Sequence, residues 1–239
     1  MTNNNQLPRG PLLENPGPAP YPARAAMTGT YVTLRPLDAQ QDGAALYAIS
    51  HAPADDGGLW TYMGYGPFAD AAAMTTWLTQ QETQQDPLFF TVVGRDDDRV
   101  MGLVSFLSIV PAMQRLEIGH IWYGPAFQRT EANTESAYLL MRTAFDELGY
   151  RRVEWKCDLL NANSRSAALR LGFRPEGIFR KHYIVKNRSR DTIWFSVVDD
   201  EWPEVRDNLE TWLNAPDAKP SLTTLTRGRQ GAAFGQLRS

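Results

Sequence analysis

Apolar and polar residues alternate along some segments of the chain and recur at helical spacing along others. The alternation predicts strands at residues 30–36, 88–93, 100–110, 116–123, 152–158, 179–185 and 191–198. Apolar positions three and four residues apart predict helices after Asp38 and at residues 71–83, 134–148, 161–170 and 201–213. This order predicts an α/β (α+β) fold in which helices flank a mixed central sheet of about seven strands.

The two ends of the chain lack these patterns. Residues 1–26 contain six prolines among Asn and Gly, so we expect an arm that is flexible or lies extended across a neighbouring subunit. Residues 215–239 are rich in Pro, Gly, Thr and Arg, which predicts a flexible tail. Residues 27–214 then form a single folded domain.

Composition narrows the class of protein. The 239 residues are 43% hydrophobic and 21% charged, which suits one domain with a buried core. The net charge of −3 predicts no nucleic-acid partner, and no apolar run reaches the ~20 residues that span a bilayer. The single cysteine, Cys157, is expected to be a buried small residue, and three histidines support no metal cluster. Since a signal-peptide pattern is also missing, we expect a cytoplasmic protein without bound metal.

The strand at residues 116–123 and the helix after it form the most informative junction. Gly124 and Pro125 end the strand, and apolar residues at helical spacing resume near Ala137. The first amides of such a helix have no partner within it, and the helix dipole adds positive potential there. The junction therefore predicts a binding site for a phosphate or pyrophosphate group.

Together with the segments Asn161-Ala-Asn-Ser164 and Leu171-Gly-Phe173, this junction resembles the GNAT superfamily, in its branch of ribosomal-protein N-terminal acetyltransferases. The resemblance covers roughly residues 30–202. It implies the GNAT acyl-CoA N-acyltransferase fold, acetyl-CoA as cosubstrate, and transfer of the acetyl group to a primary amine. An amine from a protein N-terminus or a small molecule would attack the thioester directly. Direct attack suits a chain in which no Cys/His pair is recognisable.

The resemblance places the pyrophosphate loop and its donor-binding residues at Gln128, Arg129, Thr130, Glu131, Ala132, Asn133 and Thr134. Superfamily members carry glycines in this loop, but Arg129 and Glu131 occupy those positions here. The Glu131 carboxylate would repel phosphate unless it turned outward, whereas Arg129 could offset this with a charge-assisted contact. The difference motivates an alternative function, a GNAT-fold binding or regulatory protein with weak or no CoA binding.

The resemblance also implies roles around the reacting thioester. Backbone N–H groups near Ile121 and Trp122 would bind the oxyanion and the pantetheine arm. Asn161 would hold the pantetheine, and Ser164 would lie beside the sulfur as the acid that protonates the thiolate. Alternatively, Ser164 only caps a helix.

Three side chains are candidates for the general base. Glu117, midway along the strand before the loop, is the leading candidate, either directly or through a water; Asp158 is the second and His120 the third. Alternatively, Glu117 is an exposed strand carboxylate or half of a structural ion pair. Strict alternation along the strand places Glu117 and His120 on opposite faces.

Aromatic residues mark the region where the amine substrate would bind. Trp60 and Tyr62, in a loop rich in Gly and aromatics, and Tyr183, in the last hairpin, are candidate substrate contacts. The loop aromatics could instead anchor the loop to the domain. We expect an amine substrate as the partner and no membrane, and the proline-rich arm is also compatible with a homodimer.

Overall fold

The computed structural model describes residues 7–51, 58–215 and 219–226. The strands are β1 (Met27–Thr28), β2 (Val32–Pro36), β3 (Leu88–Gly94), β4 (Val100–Val110), β5 (Arg115–Tyr123), β6 (Arg152–Asp158), β7 (Arg174–Val185) and β8 (Arg188–Val198). The helices are α1 (Ala39–Ser50), α2 (Ala71–Glu82), α3 (Glu131–Arg142), α4 (Ala162–Arg170), α5 (Trp202–Leu213) and α6 (Leu222–Thr226). Within the described ranges, no helix is long and apolar enough to cross a membrane.

The eight strands form one sheet in the order β1-β2-β3-β4-β5-β6-β8-β7, which confirms the predicted fold class. Neighbouring strands are antiparallel except β5 and β6, which run parallel. The sheet has one strand more than predicted because Met27 and Thr28 pair with Leu34 and Thr33 at its edge. Two residues are too few for alternation to reveal.

Helices cover both faces of the sheet. α3 and α5 pack on one face, where Leu140 and Val205 are buried with Ile118 of β5. α1 and α2 pack on the other face, where Leu46 is buried with Phe89 of β3. The two cores are separate, so the side of the sheet to which a strand residue points decides the helices that it contacts.

β5 carries one extra residue near its centre. Ser105 of β4 lies opposite Gly119, but Leu103 lies opposite Trp122, so one residue of β4 faces two of β5. His120 lies in this bulge and has a left-handed φ of 51°. The bulge shifts the side-chain alternation of β5 by one position.

This shift changes the face of the sheet on which one candidate base, His120, lies. The prediction that Glu117 and His120 point in opposite directions is wrong, because the bulge between them returns His120 to the face of Glu117. The His120 ring lies 5.0 Å from the ring of Phe89, in the core beneath α1 and α2. Beyond the bulge, Trp122 also lies in that core, whereas Tyr123 lies in the other.

β5 and β6 part at the bulge. Their register contains three described pairs, Arg115 with Arg152, Leu116 with Val153 and Glu117 with Glu154. β6 continues to Asp158 paired with β8, while the rest of β5 is paired only with β4. The parting opens a gap in the middle of the sheet where the backbone of β5 has free hydrogen-bonding groups on one side.

Two helices begin at this gap, and their caps differ from those predicted. α3 starts at Glu131, three residues before position 134, because the Thr130 hydroxyl accepts a hydrogen bond from the Ala132 N–H at 3.3 Å. In α4, Asn161 is the cap, since its Oδ1 accepts from the Ser164 N–H at 3.0 Å. Ser164 is therefore free of the capping role.

Described segments near each end of the chain contact the domain. The Gln114 side chain donates to the carbonyls of Asn15 and Gly17 at 2.7 and 2.6 Å, so this part of the arm lies on its own domain. At the other end, residues 222–226 form α6 and bury Leu222 in the core beneath α5. The sequence pattern does not predict this short helix.

A buried carboxylate joins β2 to α3. Glu135, which is 3% exposed, accepts hydrogen bonds from the backbone N–H groups of Thr30, Tyr31 and Val32 at 2.6–2.7 Å. A Cβ at Gly29 would lie 2.3 Å from the Glu135 carboxyl carbon, so the chain approaches the carboxylate too closely for any side chain there. Glu135 thus fixes the start of β2 on the helix that borders the gap.

We expect Glu135→Ala to destabilise the fold strongly. Each buried N–H left without an acceptor costs about 1–3 kcal/mol, so the free energy of unfolding measured in urea should fall by about 3 kcal/mol or more. Glu147→Ala removes a half-exposed carboxylate that pairs with Arg142 and should change it by less than ~1 kcal/mol. Equal losses in the two variants would contradict the anchoring role of Glu135.

Candidate active site

The gap between β5 and β6 contains two adjoining cavities. The first, the inner chamber, has a volume of about 180 Å³. It lies between the bulge of β5, the end of β6 and the tip of the segment after Trp60. Its wall includes Tyr62, Leu107, Glu117, His120, Lys156, Asp158 and Arg190.

The second cavity, the outer chamber, has a volume of about 590 Å³ and lies at the start of α3. Its wall includes Gln128, Arg129, Asn133, Ser166, Arg170 and Thr223. Both cavities are lined by the same five residues, which form a neck between them: Tyr62, Ile121, Trp155, Asn161 and Ser164. A long ligand could therefore reach from the start of α3 to the bulge of β5.

Glu117 is the most buried acidic group of the inner chamber. It is 2% exposed, and its carboxylate pairs with the Lys156 ammonium and accepts a hydrogen bond from the Ser108 hydroxyl at 3.5 Å. Burial raises the pKa of Glu117, while the charge of Lys156 opposes this shift. A carboxylate with a raised pKa is a better proton acceptor than one on the surface.

His120 has the properties of a neutral side chain. Burial, helped by the charge of Lys156, lowers the pKa of its imidazole to about 4. Its ring lies between those of Phe89 and Tyr65, at 5.0 and 5.6 Å between centroids. An imidazole with so low a pKa is a weak base at pH 7.

Asp158, the second candidate base, lines the inner chamber but has a structural role. Its Oδ1 accepts a hydrogen bond from the Leu160 N–H at 2.9 Å, and its backbone carbonyl accepts from the Asn161 N–H at 2.9 Å. These bonds form the turn that leads into α4. Among the described residues, the Glu117 carboxylate has no such backbone partner, so Glu117 is the stronger candidate.

Ser164 presents its hydroxyl to the neck. The Trp155 indole N–H donates to Ser164 Oγ at 3.0 Å, so the hydroxyl accepts one hydrogen bond and keeps its own proton available for donation.

Nearby Cys157 is 5% exposed, and burial raises the pKa of its thiol to about 11. It thus stays protonated at neutral pH, as expected for a buried small residue.

The loop before α3 adopts the backbone shape that a glycine would favour. Arg129 has a φ of 61°, in the left-handed region, and its side chain lines the outer chamber. The side-chain amide of Gln128 donates a hydrogen bond to the Tyr123 carbonyl at 3.2 Å, which holds the loop against the end of β5. A non-glycine residue at position 129 therefore leaves the course of the loop intact.

The charges around the start of α3 favour an anion. The Glu131 carboxylate lies 4.0 Å from Lys219 Nζ and outside the wall of the outer chamber. Arg170 does line this chamber, and its guanidinium donates to Asn133 Oδ1 and Thr134 Oγ1 at 2.8 Å each. The helix start is thus bordered by a cation inside the chamber, while Glu131 is turned outward.

The three candidate substrate contacts lie in different places. Trp60 is 1% exposed and packs against Trp122 in the core, so it anchors its loop rather than lining a chamber. Tyr62 lines both chambers, and its hydroxyl donates to the Leu160 carbonyl at 3.2 Å. Tyr183 is 41% exposed and lies outside both chambers.

Several residues of the site were missed in the sequence analysis, and four of them carry charge or a hydrogen bond there: Lys156, Trp155, Arg170 and Arg190. Lys156 alternates with Glu154 and Asp158 along β6, which was visible as a polar face. Its position beside Glu117 depends on the pairing of β5 with β6, and no local pattern reveals that pairing. The described part of the chain contains no group of three or more His, Cys, Asp or Glu side chains placed to hold a metal ion.

The fold agrees with comparisons to known proteins. Residues 32–174 match the model of the acetyltransferase (GNAT) domain family. The chain belongs to the GNAT family. A solved GCN5-related N-acetyltransferase from Brucella melitensis is 42% identical to it, with a TM-score of 0.85 over 90% of this chain and 100% of the other.

Two further relatives are informative about the branch and the fold. "Putative ribosomal N-acetyltransferase YdaF" of Bacillus subtilis (strain 168) is 28% identical over 106 residues, which are 44% of this chain and 57% of YdaF. This match agrees with the predicted ribosomal-protein branch, although the chain spans less than two thirds of that relative's length. The microcin C7 self-immunity acetyltransferase MccE, solved with acetyl-CoA and AMP, shares the fold: 24% identity, TM-score 0.63, covering 71% of this chain and 93% of MccE.

The environment of His120 leads to a prediction about its titration in this GNAT protein. Because the pKa is lowered to about 4, the imidazole should be neutral at pH 7 and become protonated only as the pH falls below about 5. In Lys156→Gln the midpoint should rise toward the ordinary value, because a repelling positive charge is removed. An NMR titration of the imidazole carbon resonances measures both midpoints. A wild-type midpoint near 6.5 would contradict the described burial.

Proposed function

We propose that the protein is an N-acetyltransferase that moves an acetyl group from acetyl-CoA to a primary amine held in the inner chamber. One observation carries this proposal. A buried carboxylate with a raised pKa, Glu117, faces a chamber that continues through a neck to the start of α3. The family match supports the class of reaction, and the acetyl-CoA complex of MccE supports the choice of donor.

The residues of the outer chamber suit the donor. The start of α3, with Arg129 and Arg170 beside it, favours the pyrophosphate of a CoA molecule. Backbone groups of β5 beyond the bulge, near Ile121 and Trp122, are unpaired on the side of β6 and could bind the amides of the pantetheine arm. When bound, acetyl-CoA supplies a thioester that an amine can attack.

Two side chains divide the proton transfers. Glu117 takes a proton from the ammonium form of the acceptor, and Lys156 keeps the carboxylate ionised and oriented. Ser164, whose oxygen already accepts from Trp155, gives its proton to the departing thiolate. As the amine nitrogen bonds to the acetyl carbon, the carbon–sulfur bond breaks, and the second proton that the nitrogen loses on becoming an amide returns to the Ser164 oxygen.

The alternative of a binding protein that has lost CoA rests on the missing loop glycines. Two geometric facts weaken it: Arg129 adopts the left-handed backbone of a glycine, and Glu131 is turned toward Lys219. We therefore favour the enzyme, with a protein N-terminus or a small-molecule amine as acceptor.

The base is tested by Glu117→Gln, which keeps the size of the side chain and removes its ability to accept a proton. General-base catalysis contributes about 10²–10⁴-fold, so kcat should fall at least about 100-fold while acetyl-CoA binding is retained. Asp158→Asn removes the other carboxylate of the inner chamber and should cost less than about tenfold. An unchanged kcat in Glu117→Gln would exclude Glu117 as the base.

Donor binding is tested by a pair of variants on the two sides of the α3 start. Arg170→Gln removes a cation from the outer chamber and should weaken equilibrium binding of acetyl-CoA at least about tenfold. Glu131→Gln alters a carboxylate that faces Lys219 and should leave the Kd within about twofold. Tighter binding in Glu131→Gln would mean that this carboxylate does face the phosphates.

A further inference from the structure

Positive charge is concentrated at the tip of the β7–β8 hairpin. Residues 180–190 include five Lys or Arg and no Asp or Glu, on a chain whose net charge is −3. The five cations are Arg180, Lys181, Lys186, Arg188 and Arg190. None of them takes part in the ion pairs formed among the described residues. We call these five residues the basic tip.

The basic tip borders the inner chamber. Arg190 lines the chamber, and its Nε is buried without a hydrogen-bond partner in the described structure. Lys186 Nζ donates to the carbonyl of Trp60 at 2.7 Å, so the hairpin lies against the segment that carries Tyr62 into the chamber wall. The positive charge is therefore adjacent to the place proposed for the amine.

The inner chamber is smaller than a typical small-molecule pocket. Its volume of about 180 Å³ is below the ~300–1,000 Å³ typical of small-molecule pockets. It can hold the reacting amine and the few atoms around it, so a larger acceptor must extend outside. An extended polypeptide meets this requirement, because its first residue can enter while the following residues contact the surface.

We propose that the acceptor is the amino-terminal end of a polypeptide whose residues after the first one or two are acidic. This inference rests on the acetyltransferase function proposed above and adds the class of its substrate. Carboxylates of the peptide would pair with the basic tip, and one of them would reach the unpartnered Nε of Arg190. Complementary charge speeds association and strengthens binding at low ionic strength.

The test compares three synthetic peptides that share the same first two residues and differ at positions three to six, with Glu, Gln or Lys there. Acetyl transfer from acetyl-CoA is followed at low and at high salt. The Glu peptide should have a kcat/KM at least about tenfold above the Gln peptide, through KM, and the Lys peptide should be the poorest. The preference should shrink as salt is added, because exposed charges are screened.

A charge-reversal variant separates the effect of the basic tip on peptide preference from the effect of the protein's net charge. Arg180→Glu with Arg188→Glu changes two exposed residues of the tip, neither of which lines a chamber. It should remove or reverse the preference for the Glu peptide. Arg9→Glu with Arg95→Glu makes the same change in net charge at exposed positions elsewhere and should keep the preference.

The outcomes distinguish this inference from the proposed function. Equal rates for the three peptides, or faster transfer to a small amine such as ethanolamine phosphate, would overturn the inference and leave the acetyltransferase function standing. A preference that survives in the tip variant would also overturn it. If none of the peptides or small amines is acetylated, the inference is overturned too. If the protein also fails to bind acetyl-CoA, the proposed acetyltransferase function is overturned as well.

Discussion

The bulge in β5 is the constraint on which the site depends. One extra residue at His120 forces β5 out of register with β4 and ends its pairing with β6 after Glu117. Without it, the two strands would continue side by side and their hydrogen bonds would close the gap that holds both chambers. The same residue shifts the alternation of β5, so that Glu117 and His120 face one cavity. The cavity and its carboxylate thus have a common origin.

Electrostatics at the gap follows from this geometry. Glu117 is withdrawn from water by the strands around it, and the ammonium of Lys156, from the neighbouring strand, is the main group that offsets the cost of its charge. Lys156 in turn lies 5.2 Å from the ring of Trp194, so its charge is held in a fixed place. At the other end of the gap, Arg170 and the start of α3 provide positive potential. A carboxylate base and an anion site therefore lie at opposite ends of one passage.

The sequence predicted much of this arrangement and missed the part that depends on contacts between distant segments. Strand and helix periods are local, so nearly every element and the position of Glu117 on its strand could be predicted. The bulge could not, because a left-handed φ at His120 leaves no mark in an alternating pattern. The partner of Glu117 and the outward turn of Glu131 depend on Lys156 and Lys219, which come from other parts of the chain. Likewise, only the packed core shows that the ring of Trp60 is an anchor.

We propose that the gap between β5 and β6 is a binding passage for a CoA thioester. Calorimetric titration of the whole chain with acetyl-CoA, desulfo-CoA and ATP would measure this binding. We expect both CoA ligands to bind with Kd values on the order of micromolar. ATP should bind about 100-fold more weakly, because it has the phosphates but no pantetheine arm to fill the neck. Equal binding of ATP and acetyl-CoA, or no binding of CoA ligands at millimolar concentration, would contradict it.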